Sequence, residues 1–356
     1  MGDLFKGMLK DSESLFLDEM ALDPEYMPKM IKFREMQQKY IAECIKPLFQ
    51  KRNGKNLLIV GSPGIGKTVA VRHVLEELEQ ETDEVVTLYV NCWKKETPYK
   101  IALDLCDQVD FKFVHNRDTS ELFKEIARIL NKRSAVIVLD EADKLADDSV
   151  FYSLMEDIYR KTIIMITNEE DFIARLDQRI RSRLMPDLLE FKPYNYSETK
   201  GILQQRAEYA FVPGVVEAGV LEAVAETTHK AQDVRVGLHL LKDAGSCAEA
   251  KSSRKILPEH LKPALEKLKD FQAKSLSDLD IDANLILEII KANTGKSTTG
   301  IFKLYKAKGG VNSYSTFQRR IKTLEKGKYV RLKSLNTGQP GRSTSIEYGF
   351  KKLDEF

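Results

Sequence analysis

Short apolar runs alternate along the chain with stretches whose hydrophobic residues recur at helical spacing. Asn56-Leu57-Leu58-Ile59-Val60 reads as a short buried strand, and Val69–Leu78 after it carries apolar residues at helical intervals. Val85–Asn91 is a second strand, rich in β-branched and aromatic residues. Ala135–Leu139 is a third, ending in Asp140 and Glu141, and Thr162–Asn168 a fourth. Leu188–Phe191 closes the strand set. Helices are predicted over 30–50, 98–109 and 120–130, while Pro24 and Pro28 break the first thirty residues. Strands alternating with helices point to a parallel sheet.

Beyond residue 197 the pattern changes. Helices are predicted over 199–211, 215–228, 233–250 and 258–269, an all-α domain, followed by a polar linker at 271–282. Three further helices, 283–292, 298–307 and 313–326, precede two strands, 328–333 and 344–350. Three helices and a hairpin describe a winged helix–turn–helix. The domain boundaries follow: 1–195, 196–270, the linker 271–282, and 283–356.

The first strand runs into Gly61-Ser62-Pro63-Gly64-Ile65-Gly66-Lys67-Thr68. This octapeptide fits G-x-x-x-x-G-K-[ST], a loop whose glycines let backbone N–H groups curl around phosphate oxygens. A strand before it and a helix starting near Val69 supply the context of an anion site at a helix N-terminus. Lys67 would reach the β- and γ-phosphates of ATP or ADP, and the Thr68 hydroxyl a Mg²⁺ ion. Asp140 would share that ion, and Glu141 would polarise the attacking water. Asn168 reads either as an ordinary turn residue or as a second water-positioning group. Arg175, Arg179, Arg181 and Arg183 form a solvated face in a monomer; in a head-to-tail assembly one would reach a neighbour's nucleotide. Arg235 opens a long helix of the all-α domain, placed either to report the γ-phosphate or to make a surface ion pair.

Of the 356 residues, 42% are hydrophobic and 31% charged, as in soluble globular proteins. The longest apolar runs are too short to span a bilayer, and the first residues lack the apolar core of a signal peptide, so a cytoplasmic protein without membrane partners is expected. Cys44, Cys92, Cys106 and Cys247 are scattered, which fits buried thiols better than zinc ligands or disulfides. The net charge of +2 hides an asymmetry. Residues 276–356 hold 11 Lys and 4 Arg against 4 Asp and 4 Glu, a net of +7 that leaves −5 on the rest. A basic terminal module on an acidic body fits a phosphate-bearing partner, with a solvated basic face as the alternative; on a winged helix that charge favours double-stranded DNA over a protein partner. The third of its helices carries Tyr314, Ser315, Thr316, Gln318, Arg319, Arg320 and Lys322, suited to base edges and phosphates, and the turn at 336–343 adds Arg342.

Together these stretches resemble the AAA+ initiators of the origin-recognition-complex type, in their compact archaeal form. The likeness rests on Leu22-Asp23-Pro24-Glu25-Tyr26-Met27-Pro28 with Phe33-Arg34-Glu35, Tyr89-Val90-Asn91-Cys92, and Leu139-Asp140-Glu141-Ala142-Asp143. It extends to Thr167-Asn168, Arg181-Ser182-Arg183-Leu184, Phe191-Lys192-Pro193-Tyr194 and Asp233-Val234-Arg235. The resemblance implies a P-loop α/β AAA+ domain with a five-stranded parallel sheet and flanking helices, an all-α lid, and a C-terminal winged helix. It implies ATP hydrolysis used as a switch, with Asn168 as sensor 1, Arg235 as sensor 2 and a finger acting in trans, Arg181 or Arg183, the latter favoured because it follows the serine of its box.

Its implied partners are origin DNA, other initiator subunits on that DNA and the replicative helicase, at a seat on the nucleoid. The resemblance also makes the long segment after Cys92, with Lys94, Lys95, Lys100 and Lys112, the candidate for a helical insertion that contacts DNA in the family. The chain departs from the family at sensor 2, where Gln232-Asp233-Val234-Arg235-Val236 stands for Gly-Asp-x-Arg-Arg. Two other readings stay open: a branch-migration type of AAA+ motor, and a nucleotide-responsive transcription regulator.

Overall fold

The computed structural model describes residues 14–169, 171–277, 281–326, 329–335 and 343–348. Two compact units divide the chain at Ala264 and Leu265.

In the first unit β1 (Leu57–Val60), β2 (Val85–Asn91), β3 (Ser134–Asp140), β4 (Lys161–Thr167) and β5 (Asp187–Glu190) form one parallel sheet in the order β2-β3-β4-β1-β5. Every residue of β3 is buried because helices cover both faces. Alternate side chains therefore feed two cores. Leu58, Val60, Ile137, Leu139, Ile163 and Met165 join one cluster; Leu57, Ile59, Val136, Val138, Ile164 and Ile166 join the other. Each such side chain contributes about 1.5–3 kcal/mol of hydrophobic stabilisation. β5 lies at the edge and alternates between partly buried and exposed positions.

Helices from both faces of the sheet pack into these two clusters. α1 (Glu35–Ile45) and α2 (Lys67–Glu81) pack in the second cluster; α3 (Pro98–Gln108), α4 (Thr119–Leu130) and α5 (Ser149–Asp157) pack in the first. The helix predicted over 30–50 is shorter than expected. Phe33 has φ +64, outside the right-handed helical region, so α1 starts at Glu35, and a 3-10 turn at Lys46–Gln50 follows with Pro47 near its start. α6 (Phe172–Arg175) and α7 (Gln178–Leu184) lead to β5.

The lid consists of α8 (Tyr196–Ala210), α9 (Ala218–Ala231) and α10 (Val234–Ala250). A capping box between Asn195 and Glu198 starts α8, and the Asp233 carboxylate caps α10 by accepting the Arg235 N–H. The N-terminal segment lies across this lid, although the sequence placed it with the sheet domain. Leu17 N–H donates to the Ala210 carbonyl at 2.8 Å, and the buried Arg206 donates to the Asp23 and Tyr26 carbonyls at 2.5 and 3.1 Å.

α11 (Pro258–Ser277) continues as a helix through 271–277, which the sequence assigned to a linker. That stretch contains neither glycine nor proline, so nothing in it stops a helix already under way. In the second unit α12 (Ile281–Ala292), α13 (Thr298–Ala307) and α14 (Tyr314–Lys326) precede the antiparallel pair β6 (Val330–Leu335) and β7 (Ser343–Tyr348). Ile286, Ile290, Ile301, Tyr305, Phe317 and Ile346 are fully buried in their shared core. The predicted turn from 336 to 342, with Arg342, lies outside the described residues.

Candidate nucleotide site and nucleic-acid interface

The Gly61–Thr68 loop joins β1 to α2 at the C-terminal edge of the sheet, where a parallel α/β sheet places its ligands. Gly61, Gly64 and Gly66 have φ of +153, +72 and +86°. A Cβ on Gly66 would lie 2.8 Å from the Tyr194 hydroxyl, and one on Gly64 would collide with the Asp233 carboxylate. Among the described residues, no backbone carbonyl takes the N–H groups of Ser62, Gly64, Ile65 or Gly66. Open donors at a helix start fit the phosphates of ATP or ADP.

Around the loop the predicted residues converge. Lys67 Nζ, 7% exposed as a residue, donates to the Gly61 and Ser62 carbonyls at 2.7 and 2.9 Å and to Asn168 Oδ1 at 2.8 Å. Thr68 Oγ1 donates to Asp140 Oδ2 at 2.7 Å, so the two groups proposed for Mg²⁺ stand side by side. Among the described residues no three His, Cys, Asp or Glu side chains cluster as metal ligands. Thr68 and one carboxylate would therefore hold such an ion jointly with the nucleotide's own phosphates.

Glu141 follows Asp140 with φ +53, which turns its side chain out of the strand direction. Burial, then the neighbouring Asp140 and Asp143, push the Glu141 carboxyl above its ordinary range. A carboxyl so tuned is a better proton acceptor at neutral pH. Arg235 reaches the same region, since its charge acts on both Lys67 and Glu141; its guanidinium is held by a bidentate pair with Asp233 at 2.9 and 2.7 Å. The Val234 N–H donates to the Gly64 carbonyl at 3.0 Å, docking the lid directly on the loop. Val69 follows Thr68 in the first turn of α2, and Gly64, Ile65, Tyr194, Thr228, Gln232 and Asp233 line a small cleft beside them.

Arg183 is exposed and pairs with Glu156 on α5 at 2.6 Å, and Arg175 pairs with Glu169. Arg181 is exposed on the same short helix.

On the second unit, Ser315, Gln318, Arg319 and Lys322 are exposed along one face of α14, spaced by three and four residues. Thr316 is half-buried and its N–H donates to Ser313 Oγ. Arg320 departs from the expectation of a DNA contact. It is half-buried, and its Nε lies 3.0 Å from Asp282, which also accepts from the Tyr305 hydroxyl at 2.6 Å. Position 320 turns away from the exposed row, so its charge is spent on holding α14 against the start of α12.

Two family models match, an AAA domain over residues 50–171 and a Cdc6 AAA+ ATPase-type lid domain over 200–266. The ORC1-type DNA replication protein 1 of Sulfurisphaera tokodaii is 31% identical, over 93% of this chain and 89% of its own length. The chain belongs to the ORC1-type DNA replication proteins. ORC1-type DNA replication protein 2 of Methanothermobacter thermautotrophicus is 28% identical over 98% of this chain and 96% of that protein. Among solved structures, the Aeropyrum pernix ORC1 protein in complex with DNA superposes with a TM-score of 0.66 at 27% identity, over 96% of both chains.

This ORC1-type chain uses residues at its site that spacing did not mark. Arg34, 4% exposed, donates to the Ile65 and Lys192 carbonyls at 2.9 and 2.8 Å and lies over the Tyr194 ring, bracing the phosphate loop from behind. Tyr89 Oη donates to Asp140 Oδ2 at 2.6 Å and fixes that carboxylate; burial, then Asp140, push the phenol well up, so it stays a donor. Three of the four cysteines are buried, as expected, and Cys247 is half-buried.

One pH effect follows from Lys67. Burial lowers its pKa to about 8. Phosphate favours the charged amine, so ATP binding raises that pKa and draws in a proton above pH 8. Affinity is expected to fall as pH rises from about 8 to about 10, by up to about tenfold per unit, with proton uptake visible by calorimetry in buffers of different ionisation enthalpy.

Proposed function

We propose that the chain is an ATP-switched replication initiator that binds duplex origin DNA and helps recruit or load the replicative helicase. The observation that carries this reading is the meeting of Lys67, Thr68, Asp140, Glu141, Asn168 and the lid's Arg235 at one loop, in a chain belonging to the ORC1-type replication proteins. Mg²⁺, held by Thr68 and Asp140, would neutralise phosphate charge. Lys67 binds the outer phosphates, Glu141 takes the proton from the attacking water, and Asn168 orients that water. Arg235 senses the γ-phosphate by leaving its pair with Asp233. Arg183 or Arg181 acts on the site of a neighbouring subunit on DNA, so hydrolysis in the isolated chain is slow and regulatory.

The second unit is the DNA reader, a winged helix whose α14 enters the major groove through Ser315, Gln318, Arg319 and Lys322, with Thr316 at the margin and Arg342 on the wing. The protein works in the cytoplasm on the nucleoid; among the described residues no helix is long and apolar enough to cross a membrane.

Duplex binding by the full chain tests the reader. Log affinity is expected to fall with log salt at about −0.9 per phosphate neutralised, and Arg319→Ala with Lys322→Ala to flatten that slope by about two. An unchanged slope and affinity in the double variant would remove α14 from the interface.

A further inference from the structure

Asp143 has no metal or water role above, yet its side chain is only 1% exposed. It lies in the 3-10 turn Ala142–Lys144, directly after Glu141. Its carboxylate accepts the Thr167 hydroxyl proton at 2.7 Å and pairs with Lys144 Nζ at 2.6 Å. Thr167 is the last residue of β4, 1% exposed, and Asn168 follows it. The Thr167 hydroxyl oxygen also accepts the Glu169 N–H at 3.0 Å, so both bonds of that hydroxyl are spent at the strand end.

The paired register of β3 with β4 ends at Asp140 and Ile166. Glu141 and Asn168 therefore lie beyond the ladder, where no strand hydrogen bond fixes their separation. The Asp143–Thr167 bond spans that gap, and the Lys144 N–H closes the Glu141 turn on the Glu141 carbonyl at 2.9 Å. On the outer side, Lys144 Nζ lies 5.7 Å from the ring centre of Trp93, which is 66% exposed and is the only tryptophan of the chain.

We infer that Asp143 is a positioning residue: its bond to Thr167 sets the spacing of Glu141 and Asn168, and its pairing with Lys144 ties that spacing to the exposed Trp93. The inference rests on the reading of Glu141 and Asn168 as the groups that handle water. A purely structural tie would lower ATP affinity and hydrolysis together when cut. A positioning tie lowers turnover alone.

The test uses the full chain with Thr167→Val, Thr167→Ser, Asp143→Asn and, as reference, Glu141→Gln, each measured for binding of an ATP analogue, for single-turnover hydrolysis and for Trp93 emission. Thr167→Val is expected to slow hydrolysis about tenfold or more with affinity within about twofold, and Thr167→Ser to restore the rate. Asp143→Asn frees Lys144 and shifts Trp93 emission without nucleotide; Thr167→Val does not. The Asp143→Asn/Thr167→Val double variant is no slower than the slower single one, because both cut one link. Should Thr167→Val fail to fold, Asp143→Asn carries the rate and affinity arms.

Parent-rate hydrolysis in Thr167→Val, or loss of rate and affinity in step, overturns the inference. Parent-rate hydrolysis in Glu141→Gln would instead defeat the reading beneath it, and unshifted Trp93 emission in Asp143→Asn would still refute the link to Lys144.

Discussion

Changing Lys67 to alanine is expected to weaken ATP binding about a hundredfold or more, the loss of a buried charge-assisted contact to phosphate. The amine is held in place by the Gly61 and Ser62 carbonyls and by Asn168, so little side-chain freedom is lost when phosphate arrives. The same change leaves those acceptors without their donor inside the fold. Part of any loss is therefore stability, at about 1–3 kcal/mol for each buried group left unpaired. Isothermal titration with an ATP analogue, beside urea unfolding of the same variant, separates the two. A variant that unfolds like the parent yet binds ATP at parent affinity would refute the loop's role.

The second large effect is at Glu141. Glutamine keeps the size and the hydrogen-bonding reach of this side chain but accepts no proton. Hydrolysis is expected to fall about 10²–10⁴-fold, the range of general base catalysis, while ATP affinity stays within about threefold. Glu141 follows Asp140 at the end of β3, and burial, then Asp140 and Asp143, hold its carboxyl above the ordinary range, in keeping with a proton acceptor there. Arg235 should respond differently. In the proposed role it reports the γ-phosphate, so its replacement is expected to weaken discrimination between ATP and ADP before binding of either is lost. Parent-rate hydrolysis in Glu141→Gln would take this residue out of the reaction.

The parallel sheet was readable because a strand buried on both faces must be apolar along its whole length. Ala135–Leu139 and Leu57–Val60 therefore stand out from the amphipathic helices around them. The phosphate loop was readable because its glycines answer a local demand, positive φ and close approach, that leaves a mark at fixed spacing.

What escaped the sequence depends on distance along the chain. Arg34 braces carbonyls 31 and 158 residues away, and Arg206 reaches back 180 residues or more to the N-terminal segment. Neither link leaves a period or a spacing. Arg320 groups with its neighbours on α14 in sequence because composition does not tell which face of a helix meets Asp282. The helix through 271–277 looks like a linker in sequence because a polar helix carries no apolar stripe to betray it. Asp143 stands in the same short run as Leu139, yet its bond to Thr167 emerges only when two strand ends lie side by side.

On the proposed function, this chain marks replication origins in the cell. The decisive measurement maps the chromosomal DNA bound by the protein in its own cells against the map of replication start sites. The strongest bound sites are expected to coincide with replication starts, and their occupancy to change in the Lys67→Ala variant. Occupancy confined to promoters, with replication starts unbound, would contradict it.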